Sequence, residues 1–138
     1  MPAKDIYHDN VKNALTKDGW KITHDPYSIS VEFRSVFVDF GAERVLAAEK
    51  AEEKIAIEVK SFRSASDIAD FEQALGQYAF YRSLIARTEP ERKLFLAIPI
   101  DAYETTFQEP IIQPALQDLS VTLFVYDPGK EIIVLWIP

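Results

Sequence analysis

"KIAIEVKSF", residues 54–62, decides how the rest of the chain is read. Side chains of a strand alternate with a period of two, which puts Ile55, Ile57 and Val59 on one side and Ala56, Glu58 and Lys60 on the other. Apolar segments and a long amphipathic helical pattern flank it, so we expect it near the middle of a sheet. A carboxylate and an ammonium on such a strand need a reason. Glu58 and Lys60 share a face and stand about 6–7 Å apart along it. Asp39 ends a second alternating stretch, "SVFVDF" (35–40), in which Val36, Val38 and Phe40 are expected on one side, and Phe37 and Asp39 on the other. If the two strands are neighbours, two carboxylates and one ammonium converge. Burying them costs several kcal/mol unless they are paired or bind a cation. Magnesium would resolve the conflict, since it takes carboxylate oxygens, a backbone carbonyl and water.

Outward from this strand, the pattern is helix, strands, helix, strand, helix, hairpin. "DIYHDNVKNALTKD" (5–18) places Ile6, Val11, Ala14 and Leu15 on one helical stripe, with Gly19 as its stop. "WKITHDPYSISVEF" reads as extended and broken at Asp25-Pro26. "ERVLAAEK" and "EKIAIEVKSF" are two further extended segments with "AEE" as the turn between them, although their Ala, Glu and Lys content also suits a helix. Residues 66–87 form the longest helical pattern, capped by Ser66 or Ser64, with Ile68, Phe71, Leu75, Tyr78 and Arg82 as its stripe. "KLFLAIPI" (93–100) has the continuous apolar run of a strand covered on both faces. Pro110 and Pro114 predict a broken helix over 101–119, and "VTLFVY", "DPGK" and "EIIVLWI" a terminal hairpin. The whole predicts an α/β domain, a mixed β-sheet flanked by helices, with one domain spanning 1–138.

Composition narrows the function. A hydrophobic fraction of 48% with 17 aromatic residues in 138 supports a real core and argues against disorder. Without cysteine there is no disulfide or thiolate site, which fits a cytoplasmic protein. No apolar run reaches membrane-span length, and "MPAKDIYHDNVK" holds no signal-peptide core, so no membrane role is expected. The net charge of −7 argues against non-specific binding to nucleic acid. Residues 101–138 carry six acids and one base, a net of −5, leaving −2 for the first hundred. Neither a glycine-rich phosphate loop nor a nucleophile elbow is present. Two histidines without cysteine do not make a zinc site.

Asp39, then Glu58-Val59-Lys60 as an E-x-K triplet, then a long helix, resembles the PD-(D/E)xK nuclease superfamily. The resemblance implies a restriction-endonuclease-like fold in which Asp39 and Glu58 hold magnesium or manganese, helped by the Val59 carbonyl. It gives Lys60 the task of orienting water and stabilising charge on phosphate. Gln73 and Gln77 in "EQALGQY", four apart on one helical face, resemble the glutamine element that some members place beside the metal. Tyr78, which adjoins them, reads as core.

Blocks along nearly the whole chain are also similar to the XisH family: "MPAKDIYHDNVKNALTKDGWKITHDP", "VDFGAERVLAAEK", "IAIEVKSF", "EQALGQY", "TEPERKLFLAIP" and "WIP". Members are known as fdxN element excision controlling factors, associated with XisI and the recombinase XisF in a programmed DNA rearrangement of cyanobacteria. That resemblance implies DNA, an XisI-like protein and an XisF-like recombinase as partners. Two readings follow from it: a metal-dependent endonuclease-like protein, or a catalytically inactive accessory factor for the recombinase. Two features depart from the superfamily pattern. Val38 stands where the motif has proline, and the 19 residues from Asp39 to Glu58 demand a long hairpin or a bulge. Glu43 or Glu49 on that hairpin is the alternative second ligand. His8 and Asp9 are placed on the polar side of the first helix, His24 at a turn, and Trp20 and Trp136 in the core. A homodimer is compatible with the sequence.

Overall fold

A computed structural model describes residues 4–46 and 51–138. Its elements in chain order are α1 (His8–Lys17), β1 (Lys21–His24), β2 (Tyr27–Val31), β3 (Arg34–Val38), β4 (Phe40–Leu46), β5 (Ala51–Val59), α2 (Asp67–Thr88), β6 (Arg92–Pro99), α3 (Ile100–Glu104), α4 (Gln113–Asp118), β7 (Leu123–Asp127) and β8 (Ile132–Ile137). Six strands form a mixed sheet in the order β1-β4-β5-β6-β7-β8, and β2 pairs only with β3 in a separate hairpin. β5, β6 and β7 run parallel; the flanking pairs are antiparallel. The mixed sheet flanked by helices and the β7–β8 hairpin match the architecture expected from the sequence.

Alternation along the strands builds two cores, one on each face of the sheet. Ile55, Ile57 and Val59 join Val11 and Leu15 of α1, Trp20, Phe40, Phe95, Phe124 and Tyr126 on one face. Ala56, Leu94, Leu96 and Ile98 pack on the other against Phe71, Ala74, Tyr78 and Ile85 of α2. β6 is buried on both sides, as its unbroken apolar run requires. Ser66 caps α2, its Oγ accepting from Ala69 N–H at 3.1 Å. Gly19, at φ +93°, closes α1 in the left-handed region.

Three local expectations are corrected. The alternation of "SVFVDF" does not continue through Asp39: the chain bends there between β3 and β4. Val38 therefore packs on the α2 side, whereas Phe40 packs on the α1 side. "AEE" is not a turn, because Ala51–Glu53 already belong to β5 and pair with β4. The long β4–β5 hairpin accounts for the 19-residue interval. The buried stripe of α2 is Phe71, Ala74, Tyr78, Tyr81 and Ile85, rotated from the predicted one, and Ile68 stays 38% exposed. No described helix is long and apolar enough to cross a membrane.

Candidate functional site

β5 outruns β4. The ladder between them ends at Phe40↔Ile57, so Glu58 and Val59 extend beyond the last paired residue of β4. The bend at Asp39 fills that gap. Its carboxylate Oδ2 accepts from Val59 N–H at 2.7 Å, and its own N–H donates to Glu58 Oε1 at 3.3 Å. Lys60 Nζ lies 3.6 Å from Glu58 Oε2. The three charged residues thus meet, with Glu58 only 6% exposed. N–H and C=O of an extended residue point to the same edge, so the Val59 carbonyl faces the side on which Asp39 lies.

These groups line a cavity of about 280 Å³ together with Asp5, Phe37, Gln73, Gln77 and Tyr81. Gln73 and Gln77 come from one face of α2, as their spacing predicts. Gln77 Oε1 is buried without a hydrogen-bond partner. Tyr78 is core: it is 1% exposed and its hydroxyl meets Thr122 Oγ1 at 3.0 Å.

Electrostatics follow from burial. Loss of solvent pushes the Glu58 carboxyl up to about 8, reinforced by the Asp39 charge and opposed by Lys60. Burial also raises Asp39, against the Val59 N–H and the nearby His8 and Lys60. Tyr81 is pushed up to about 12 by burial and then by the charges of Glu58 and Asp39. Two carboxylates share one small space with a single ammonium.

The structure corrects the placement of His8 and adds Asp5 to the site. His8 is not on a polar face: it is 4% exposed, packs on Phe40 at 4.2 Å between centroids, and bonds Asp25 Oδ1 through Nε2 at 3.0 Å. Its Nδ1 is buried without a hydrogen-bond partner, 3.9 Å from Asp39 Oδ1. Burial acts to raise Asp25, but its bonds to Lys12 and His8 prevail and hold it below the usual carboxylate value. The signal was available, since His8, Val11 and Leu15 stand at i, i+3 and i+7. Asp5, just before α1, enters the cavity with Oδ2 accepting from Ser61 N–H at 3.0 Å.

The alternative ligand Glu43 lies elsewhere, paired with Arg92 at 3.2 Å. Its site is excluded by register, since Glu43 stands opposite Lys54, four residues before Glu58. Glu49 lies outside the described residues. Asp9 is exposed and does not line the cavity. His24 ends β1 beside the Asp25-Pro26 turn, and Trp20 stacks toward Trp136 at 6.0 Å in the α1-side core. Among the described residues, no group of three or more His, Cys, Asp or Glu side chains draws together in a metal-ligating cluster. Any cation here would rest on the Asp39–Glu58 pair and neutral oxygens. The donor set available is all oxygen: two carboxylates, the Val59 carbonyl and the unpartnered Gln77 amide oxygen. That chemistry fits a hard divalent ion such as magnesium or manganese.

Fold and site together define a mixed α/β protein in which a buried glutamate at the end of a central strand meets a half-buried aspartate from the bend beside it. The XisH protein family model matches residues 1–134. The chain belongs to the XisH family. It is similar to the crystal structure of an XisH family protein from Nostoc punctiforme, with 43% identity over 97% of this chain and all of that one, and a TM-score of 0.85. It is also similar to a fdxN element excision controlling factor protein from Anabaena variabilis, with 41% identity over 98% of this chain and all of that one, and a TM-score of 0.88. No curated protein matches the chain.

Proposed function

We propose that this XisH protein acts on DNA as an element excision controlling factor, and that the Asp39–Glu58–Lys60 cavity is a divalent-metal-dependent phosphodiester hydrolysis site of the PD-(D/E)xK, restriction-endonuclease-like kind. The observation that carries the reading is the convergence of these side chains, from a strand-connecting bend and a strand end, beside Gln73 and Gln77. Asp39, Glu58 and the Val59 carbonyl would hold magnesium or manganese, which when bound supplies positive charge against the two carboxylates and against phosphate. Lys60 donates hydrogen bonds to the attacking water and offsets the charge that develops on the phosphoryl oxygens. Gln73 and Gln77 orient the scissile group through their amides. The Asp39 bond to Val59 N–H keeps the carboxylate in register with the strand.

Partners in this reading are DNA together with XisI-like and XisF-like proteins. The second reading is an accessory factor that leaves strand chemistry to the recombinase. The acidic C-terminal third, residues 101–138 with a net charge of −5, favours it, because an anionic surface suits a basic protein better than a phosphate backbone. Calorimetric titration with magnesium and manganese, beside incubation with supercoiled, flapped and branched DNA, separates the two. Hydrolysis predicts cation binding lost in Glu58→Ala and cleavage lost in Lys60→Ala. A wild-type protein that binds no cation and cuts nothing leaves the accessory reading.

A further inference from the structure

The cavity is poor in positive charge: among the described residues Lys60 is its one basic lining residue, beside Asp5, Asp39 and Glu58. Exposed apolar side chains stand on the segments that line it. Phe37 lines the cavity from β3, and four residues before it Phe33 stands 100% exposed at the tip of the β2–β3 hairpin. α2 contributes Gln73, Gln77 and Tyr81 to the lining, and Phe80, three residues after Gln77 on that helix, is 53% exposed with its ring 6.1 Å from that of Tyr81. Ile6, next to Asp5, is 72% exposed.

The hairpin tip is built against local preference. Val31↔Arg34 is its last pair, so Glu32 and Phe33 alone make the turn, and Glu32 holds φ +53°, a position that glycine ordinarily takes. A turn selected for stability alone would carry Gly or Asn there and a polar residue in place of Phe33. Register puts Ser28, Ser30 and Ser35 on the same hairpin face as Phe37, and all three are exposed. A row of hydroxyls therefore runs from the cavity wall to the exposed ring, about 13 Å away at strand spacing.

Resting on the hydrolytic reading above, we infer that the exposed rings of Phe33 and Phe80, carried by the two elements that supply Phe37 and the glutamines to this cavity, stack on unpaired bases, so that its substrate is DNA with single-stranded or displaced nucleotides rather than intact duplex. An anionic protein gains little from counterion release, whereas base stacking on aromatic rings needs no net positive charge. Intact duplex hides its base faces. The serine hydroxyls between the cavity and Phe33 contact the sugar-phosphate oxygens.

The test measures binding and magnesium- or manganese-dependent cleavage of a duplex and of the same sequence with a central bubble carrying 2-aminopurine. Wild type, Phe33→Ala, Phe80→Ala and Phe33→Trp are compared, with folding checked by circular dichroism. The expected result is a bubble preference of tenfold or more, lost about tenfold with each alanine and kept by the tryptophan. Stacking is read as quenching of 2-aminopurine, and binding changes little between low and moderate salt. Equal binding of duplex and bubble overturns the inference, as does wild-type behaviour in both alanine variants. Alanine variants that keep bubble binding but change oligomeric state assign the rings to a protein contact and overturn it too. A wild type that binds bubbles with quenching yet cleaves nothing refutes the hydrolytic reading while leaving base stacking intact.

Discussion

Replacing Glu58 by glutamine removes a charge from a place where charge is unfavourable, and the size of the effect can be worked out. The Glu58 carboxyl rises from 4.5 to about 8 on folding. At about 1.4 kcal/mol per unit, this displacement corresponds to about 5 kcal/mol. Between those two pH values the native state holds a proton that the unfolded chain has released, so stability falls as pH rises. Below pH 4.5 both states are protonated and the contribution is flat; above about 8 both are ionised and the full loss is present. Glu58→Gln keeps shape and an acceptor for Asp39 N–H but leaves Lys60, whose side chain is 17% exposed, without its partner. We therefore expect Glu58→Gln to match wild type near pH 4.5 and to exceed it by roughly 2–4 kcal/mol at pH 9 without divalent ions. For a chain of this size that is roughly 6–12 °C in Tm. Thermal unfolding followed by circular dichroism from pH 4.5 to 9 in chelator reads it directly. Parallel Tm curves for the two proteins would refute the reasoning, because they would mean that Glu58 ionises without penalty.

Adding magnesium or manganese at pH 8 should raise the wild-type Tm in proportion to the logarithm of concentration and leave Glu58→Gln nearly unmoved, in the same thermal assay. Gly41→Ala should lose about 1–3 kcal/mol in urea unfolding, since a Cβ there would meet His24 Nδ1 at 2.8 Å and Tyr27 at 3.0 Å. Arg92→Leu should lose about 3 kcal/mol by the same measurement. It removes the partner of Glu89 and Glu43 and of the Ile55 carbonyl, and the guanidinium stacked over Tyr27.

Much of the fold is written in patterns that survive burial. β6 is central because six successive apolar residues, Leu94 to Pro99, are buried, and α2 starts just after Ser66 because its hydroxyl accepts from an N–H of the first turn. The meeting of Asp39 with Glu58 and Lys60 was legible because charges on inner strands need one another. The bend at Asp39 was not, since neither glycine nor proline marks it; it arises where the side chain itself takes over a ladder bond. His8 was misplaced because Ile6 seemed the better member of the stripe by polarity. The chain instead exposes Ile6 at 72% and buries the imidazole against Phe40, where Asp25 satisfies one nitrogen. Polarity alone could not show that partner, seventeen residues along the chain. The α2 stripe rotated because Tyr81 and Ile85 face the sheet in place of Arg82, whose guanidinium reaches the carbonyl of Leu119 instead.

The bond from Asp39 to Val59 means that one carboxylate serves the backbone and the cavity at once. Alanine at this position unties a strand end as well as deleting a charge, so lost cleavage alone would not distinguish chemistry from architecture. Asparagine keeps an oxygen for the amide and discards only the ionisation. The contrast between those two substitutions, rather than either by itself, separates what the residue does from where it holds the chain.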